Sequence, residues 1–419
     1  MLRVLRMLTA GESHGRALVG ILEGMPAGLE LSPADVDLQL RRRQMGYGRG
    51  GRMKIERDQV QLLSGVRHGL SLGSPISLLV ENRDWIHWEQ RMAVEAPDEA
   101  VEPMTRLRPG HADLPGVLKY DFGDVRNVLE RASARETAMR VGIAAIARKL
   151  LSRFGIEIRS HTLRVGSVDV QAPSWVASDR FGAWSAEAEQ YWATVEASSM
   201  RCGDPKALDA MTAAVDEARQ AGDTLGGVFE VIAYGVPIGL GSHVHWDRKL
   251  SARLGAALMS VNSIKGVEAG AGFAGSARRG SVYHDVIGYD EDLGWTRRSN
   301  NAGGIEGGMS NGEPIVLRCA AKPIPTLMKP LPSVDLATRQ PINAAQERSD
   351  VCVVPAAGVV GEGMVALVLA DAFLEKFGGD SVAEIERNYE GYMEELHLGV
   401  GQGAPEGEDG GPIPGGVGE

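Results

Sequence analysis

Between Arg131 and Phe154 the chain commits itself to a buried helix. Met139, Ile143, Ile146, Leu150 and Phe154 recur every three or four residues, which lines them on one face of a 3.6-residue period. Ser133 and Glu136 stand just ahead of that stripe at capping-box spacing, so the helix start is expected there. Such a stripe must pack on another apolar layer, and the chain has to supply one. The same reading sets Arg131 and Arg135 beside a helix N-terminus, where unpaired amides favour an anion. Two arginines facing solvent from an ordinary core helix fit the spacing equally well.

Other segments follow the same logic. Ser32 followed by Pro33 reads as a cap and first helical residue, with a helix to about Arg43 that Gly46, Gly48, Gly50 and Gly51 stop. Val228–Tyr234 is a strand bounded by glycines and Pro237. Asp247 to Ser260 is expected to be helical on the spacing of Leu250, Leu254, Ala257 and Leu258. A further helix is expected over Glu362 to Phe377, ending at Gly378 and Gly379, and Ser381 with Glu384 starts one more. The alternation predicts a mixed α/β fold without defining its sheet order. The 54 glycines and 20 prolines fall between these segments, which implies a compact body with long functional loops. Residues 1–398 are read as one catalytic unit. Gly399 to Glu419 is mostly glycine, proline and acid with almost nothing to bury, and is expected to be disordered or loosely attached.

Charge and cysteine usage exclude several function classes. A formal charge of -11 gives no overall attraction for nucleic acid, although a local arginine cluster can still capture a small anion. Cys202, Cys319 and Cys352 are few, scattered and odd in number, unlike a disulfide framework or a thiolate metal site, and point to a reducing, cytoplasmic setting. The first residues carry no secretion signal. The most apolar later stretch, Met364 to Phe373, is interrupted by Asp371 and reads as too short to span a bilayer, so no membrane partner is expected.

The densest basic run is Arg41, Arg42 and Arg43, then Arg49, Arg52, Lys54 and Arg57, with Gly46, Gly48, Gly50 and Gly51 among them. Glycines allow close backbone approach and guanidinium groups fork onto carboxylate or phosphate oxygens, so a small multiply charged anion suits this loop; a solvated basic loop is the plain alternative. The run lacks the Gly-Lys-Ser/Thr ending of a nucleoside-triphosphate loop and the strand-to-helix context of a dinucleotide fingerprint. His14, within Gly11-Glu12-Ser13-His14-Gly15, and His111, within Arg108-Pro109-Gly110-His111-Ala112-Asp113, are candidate proton carriers if folding unites them. His243, His245 and Asp247 could share one face of a strand and bind a metal. The simpler reading is that the histidines end a strand and Asp247 caps the next helix. Asn300 to Ser310 and Lys322-Pro323-Ile324-Pro325-Thr326 suit cofactor phosphate and a rigid wall, or two buried turns.

Taken in order, Gly11 to Gly15, Arg41 to Arg52, Arg108 to Asp113, Arg131 to Arg140, Gly303 to Asn311, Lys322 to Thr326 and Arg348-Ser349-Asp350 resemble the chorismate synthase family, nearly to Phe377. The resemblance implies an α/β sandwich with a central helical layer between antiparallel β-sheet layers, assembled as a homotetramer. It implies a redox-neutral anti-1,4 elimination of phosphate from 5-enolpyruvylshikimate-3-phosphate that needs reduced FMN. An external flavin reductase would supply that cofactor, with NADPH as a reductant source. By the same resemblance, His14 matches the proton donor to departing phosphate, His111 the residue that protonates reduced flavin, and Asp350 the carboxylate that assists base chemistry at flavin N5. Ser13, Arg43, Arg49, Arg52, Arg108, Arg135 and Arg348 match the substrate pocket. Arg131, Ala132, Ser133, Asn262, Ser263, Gly307, Lys322, Pro323, Ile324, Pro325, Thr326 and Arg348 match the flavin-contact segments, with Ala132 where many relatives use serine. Two other readings remain: a different phosphate-processing lyase or flavin oxidoreductase, and a nonenzymatic arginine surface for nucleic acid or a partner.

Overall fold

The Ala17–Glu23 strand shows how the layers arise: Leu18, Gly20 and Leu22 are buried while the residues between them are more open, a period-two pattern with one face on a core. The computed structural model describes residues 2–51, 55–97, 100–177, 186–291, 294–347 and 349–398. One antiparallel sheet runs in the order Arg6–Ala10, Ala17–Glu23, Ile76–Glu81, Val60–Ser64. A second runs Ile264–Ala269, Ile315–Ala321, Gly227–Tyr234, Glu157–Val165, Val168–Asp169, again antiparallel throughout.

Helices fill the space between. The Thr137–Arg153 helix lies on the first sheet, and Gly20 allows it: a Cβ there would fall 2.5 Å from Met139 Sδ and 2.8 Å from Ile143 Cδ1. The Val354–Phe377 helix lies on the second sheet, where Gly361 meets Phe229. Gly363 sets its other side against Ala144 of the Thr137–Arg153 helix. The result is the expected sandwich, with one large apolar core shared by both sheets and the helices between them. Gly227–Tyr234 is buried along most of its length because its outer face is covered too, by Trp192 and Val195 of the Ala186–Ala197 helix.

Several boundaries differ from expectation for physical reasons. Arg131 lies in the last turn of a separate short helix, Arg126–Ala132. Ser133 accepts from the Arg135 amide in a tight 3-10 turn, and Glu136 pairs with Arg140, so no capping box forms there. Asp247 sits within a 3-10 turn, Trp246–Arg248, bonded to His245, and the helix begins only at Leu250. His243 and His245 do not end a strand, and no group of three metal-ligating side chains occurs among the described residues. The last apolar helix starts at Val354, not Glu362, because alanine, glycine and valine before Glu362 continue its buried surface. Its 24 residues contain an 18-residue window of mean hydropathy 1.8 and are long and apolar enough to cross a membrane by length and composition, yet that window is wholly buried inside the protein. By contrast, Pro33–Gln44 and Val382–Leu398 begin where Ser32 and Ser381 indicated. The segment 399–419 lies outside the described residues.

Candidate active site

His14 sits in the loop that leaves the edge strand Arg6–Ala10, and three neighbours hold it. Its backbone N–H and its ring Nδ1 both bond to Glu130, at 2.8 Å and 3.0 Å. Trp88 stacks on the imidazole at 4.1 Å between centroids, and Asp84 Oδ2 lies 4.0 Å from Nε2. Glu130 is buried on the Arg126–Ala132 helix. Burial alone would raise its pKa, but the hydrogen bonds and charge of His14, with Arg126, outweigh that and hold it below the usual value. The carboxylate therefore stays charged beneath the histidine.

The same loop joins the arginines. Asn82 donates to the carbonyls of Glu12 and Gly15 and accepts from Arg135 Nε at 2.9 Å. Arg135 Nη1 donates to Asp58 at 2.6 Å, and Arg43 binds Thr137 and the Ala134 carbonyl, each at 3.0 Å. Ser133 donates to Ser13 Oγ. Arg43 is pulled down to about 9 by burial, opposed by Asp58 and reinforced by the charges of Arg49 and Arg135. That shift is led by loss of hydration, which Asp58 offsets only in part. Two buried guanidinium nitrogens, Arg43 Nη1 and Arg135 Nη2, have no hydrogen-bond partner among the described residues, with their nearest carboxylates 3.7 Å away. An anion with several oxygens answers both deficits.

Asp350 is held against this cluster by the glycine-rich loop. Gly48, at φ +85, packs on Cys352, and Gly50 lets the loop approach Ser349 so that its N–H reaches Asp350 Oδ1 at 2.5 Å. Arg49 stands 3.5 Å from the other carboxylate oxygen. Arg52 and Arg348 lie outside the described residues.

His111 has its own carboxylate. Asp113, fully buried, takes His111 Nδ1 at 2.5 Å and three bonds from Arg108. Burial works to raise the Asp113 pKa, yet the hydrogen bonds of His111 and Arg108 bring it down to about 2. Arg108 extends to Glu347 at 3.2 Å and Thr326 at 3.4 Å. Each histidine thus rests on its own buried carboxylate, Glu130 under His14 and Asp113 under His111.

The segments matched to flavin contact converge in part. Asn262 donates to the Ala132 carbonyl, and Ser263, in the left-handed region at φ +71, accepts from the Lys322 amide. Lys322 Nζ donates to Gly110 O, and Pro325 abuts Gly110, so this wall reaches the His111 loop. Burial and the nearby Lys265 lower the Lys322 pKa. The Ile324 carbonyl accepts from Thr224. The Arg131 guanidinium is engaged with Thr9 and the Gly11 carbonyl. Gly307 lies at the turn of the Ile305–Glu306 and Met309–Ser310 hairpin, whose next residue, Gly308, bonds to Leu250. Sequence reasoning assigned no part to Glu130, Trp88, Asn82, Asp58 or Glu347. Asp113 carried a signal, a carboxylate two residues from a histidine; the others stand too far from their partners along the chain.

Fold and site together define an enzyme that handles a small, multiply charged anion with positioned histidines, on a helix-filled double-sheet sandwich. A family model described as chorismate synthase matches residues 5–374. The chorismate synthase of Geobacter sulfurreducens is 56% identical over 93% of this chain and 99% of its own length. That of Aquifex aeolicus is 52% identical over 94% and 98%. A solved structure titled "Crystal Structure of Chorismate Synthase" superposes with a TM-score of 0.77 at 43% identity, covering 95% of this chain and all of its own. The chain belongs to the chorismate synthase family and is a lyase of that class, acting on a phosphate ester.

Proposed function

We propose that the site binds 5-enolpyruvylshikimate-3-phosphate and releases its phosphate by anti-1,4 elimination to give chorismate. The observation that carries this is the pair of buried guanidinium nitrogens, Arg43 Nη1 and Arg135 Nη2, that have no hydrogen-bond partner among the described residues, with Arg135 bonded through Asn82 to the His14 loop. Oxygens of the substrate's phosphate and two carboxylates supply the missing bonds. Ser13, Arg52, Arg108 and Arg348 complete the pocket in this reading.

Phosphate departure builds charge on the leaving oxygens, and preorganised guanidinium groups stabilise it without reorganising. His14, with Nδ1 on Glu130, keeps Nε2 as the atom that holds and delivers a proton to that phosphate. His111 is arranged alike, with Nδ1 on Asp113 and Nε2 left to carry a proton. Asp350, fixed by the Gly50 N–H, is the carboxylate that would assist base chemistry at the flavin.

The residues between the Ala132 carbonyl and the His111 loop fit reduced FMN. Asn262 Oδ1 is buried without a hydrogen-bond partner among the described residues and suits a ring N–H, while Lys322 brings positive charge. Arg131, Ala132, Ser133, Asn262, Ser263, Gly307, Lys322, Pro323, Ile324, Pro325, Thr326 and Arg348 would hold it. Reduced FMN held there would supply electron density toward phosphate departure with no net redox change. We further propose a cytoplasmic homotetramer fed by an external flavin reductase, with NADPH as the reductant behind it.

The test is anaerobic turnover by the purified full chain with prereduced FMN and no reductase. One phosphate released per chorismate, with flavin still reduced at the end, is expected. Turnover without flavin, or one flavin oxidised per product, would overturn the reading.

A further inference from the structure

His14 is gripped on its face and on one ring nitrogen by residues from two separate elements. Trp88 follows the Arg83–His87 turn and stacks on the ring at 4.1 Å with planes 30° apart. Glu130, on the Arg126–Ala132 helix, takes Nδ1 with both carboxylate oxygens at 3.0 Å and the His14 backbone N–H at 2.8 Å. Arg126 holds the assembly: its Nη1 donates to Glu130 at 2.8 Å and its guanidinium lies 4.9 Å from the Trp88 ring centre. Arg91 approaches the same ring at 5.7 Å, and Asp84 faces Nε2 at 4.0 Å.

A histidine hydrogen-bonded to a carboxylate through Nδ1 is confined to the tautomer that keeps its N–H there, so Nε2 is the working atom. A hydrogen bond alone leaves the ring free to swing about the bond axis. An aromatic face stacked on the imidazole removes that freedom, and each carboxylate or cation in contact removes more. We propose that Trp88 and Glu130 are positioning residues for His14, Glu130 selecting the tautomer and Trp88 the ring plane, with Arg126 bracing both. This rests on the proton-donor reading of His14 given above.

The experiment uses the full chain with ring-15N-labelled histidine and anaerobic assays with prereduced flavin. In the wild type, the neutral His14 ring, once its Nε2 proton is removed, shows one tautomer, protonated at Nδ1. Glu130→Ala loses that selection, whereas Glu130→Gln retains it because its amide oxygen still accepts. Trp88→Ala lowers kcat roughly tenfold to hundredfold with KM within about twofold, as expected when a reacting group is misplaced without loss of substrate contacts. Trp88→Phe restores most of that loss by restoring the stack. An unaltered tautomer in Glu130→Ala, an unaltered kcat in Trp88→Ala, or a rise in KM alone would overturn the proposal. Wild-type turnover by His14→Ala would instead remove the proton-donor reading, and the tautomer measurement would still decide whether the grip exists.

Discussion

At the scale of single residues, the two histidines are defined by the carboxylates beneath them. Asp113 makes the point quantitatively: its pKa falls from 3.8 to about 2 although burial pushes the other way. A depressed carboxylate pKa stabilises the fold above the unfolded value, and that contribution is lost as pH falls through the folded one. A shift of that size corresponds to about 2 kcal/mol for a fully buried group. Asp113→Asn keeps the side-chain size and removes the charge. Urea unfolding should therefore show the variant less stable than wild type by about 2 kcal/mol at pH 5, with the gap closing toward pH 2. A gap that stays constant over that range would mean that His111 and Arg108 do not set the carboxylate's charge state.

Among the elements, the Val354–Phe377 helix carries the largest single commitment of charge. Glu362, fully buried in it, accepts from Arg42 at 2.6 and 3.0 Å, Arg148 at 2.6 Å, Arg201 at 3.0 Å and the Ser160 hydroxyl at 2.6 Å. Burial opposes its ionisation, but the three arginines overcome it and hold the carboxyl below the usual range. Arg42 and Arg201 also share Glu196. One side chain thus ties together the Pro33–Gln44 and Thr137–Arg153 helices, the Glu157–Val165 strand and the loop of Arg201. Glu362→Ala leaves Arg42 and Arg201 with Glu196 alone and strips Arg148 of its buried carboxylate, and should cost about 3–5 kcal/mol in chemical denaturation. Because Arg42 adjoins Arg43 in the Pro33–Gln44 helix, turnover should fall with it. A loss below about 1 kcal/mol would show that the arginines find other partners.

For the molecule as a whole, the matched length is shorter than the chain. Relatives covered over 98–99% of their own length match only 93–94% of this chain, and the family model stops at residue 374. The Gly, Pro and acid-rich segment 399–419 lies beyond the residues that the family model matches. Truncation after Leu398 should leave the urea midpoint, the particle size in solution scattering and kcat within experimental error of the full chain. A smaller assembly or a lower midpoint would give the segment a structural part.

Much of the site was legible because its chemistry is local. The glycine-rich loop, the Arg108 to Asp113 run and the Ser133 to Phe154 segment each declare their residues within a dozen positions, and their order carries the family and hence the reaction. The buried stripe of Met139, Ile143, Ile146 and Leu150 needed only the helical period. Contacts between distant positions were not legible. Glu130 meets His14 across 116 residues and Glu362 meets Arg42 across 320, and neither pairing leaves a periodic or spacing signal. Boundaries failed for a related reason: Val354 to Gly361 became helix because both faces found sheet and helix to pack on, and Arg131 left its expected helix start to hold Thr9 and Gly11. Periodicity and motif chemistry are properties of neighbours along the chain, so the sequence alone determined the elements, the family and the reacting residue types. Which carboxylate lies under which histidine, and which buried arginines lack a partner, depends on layers stacking face to face, and only the tertiary structure decided that.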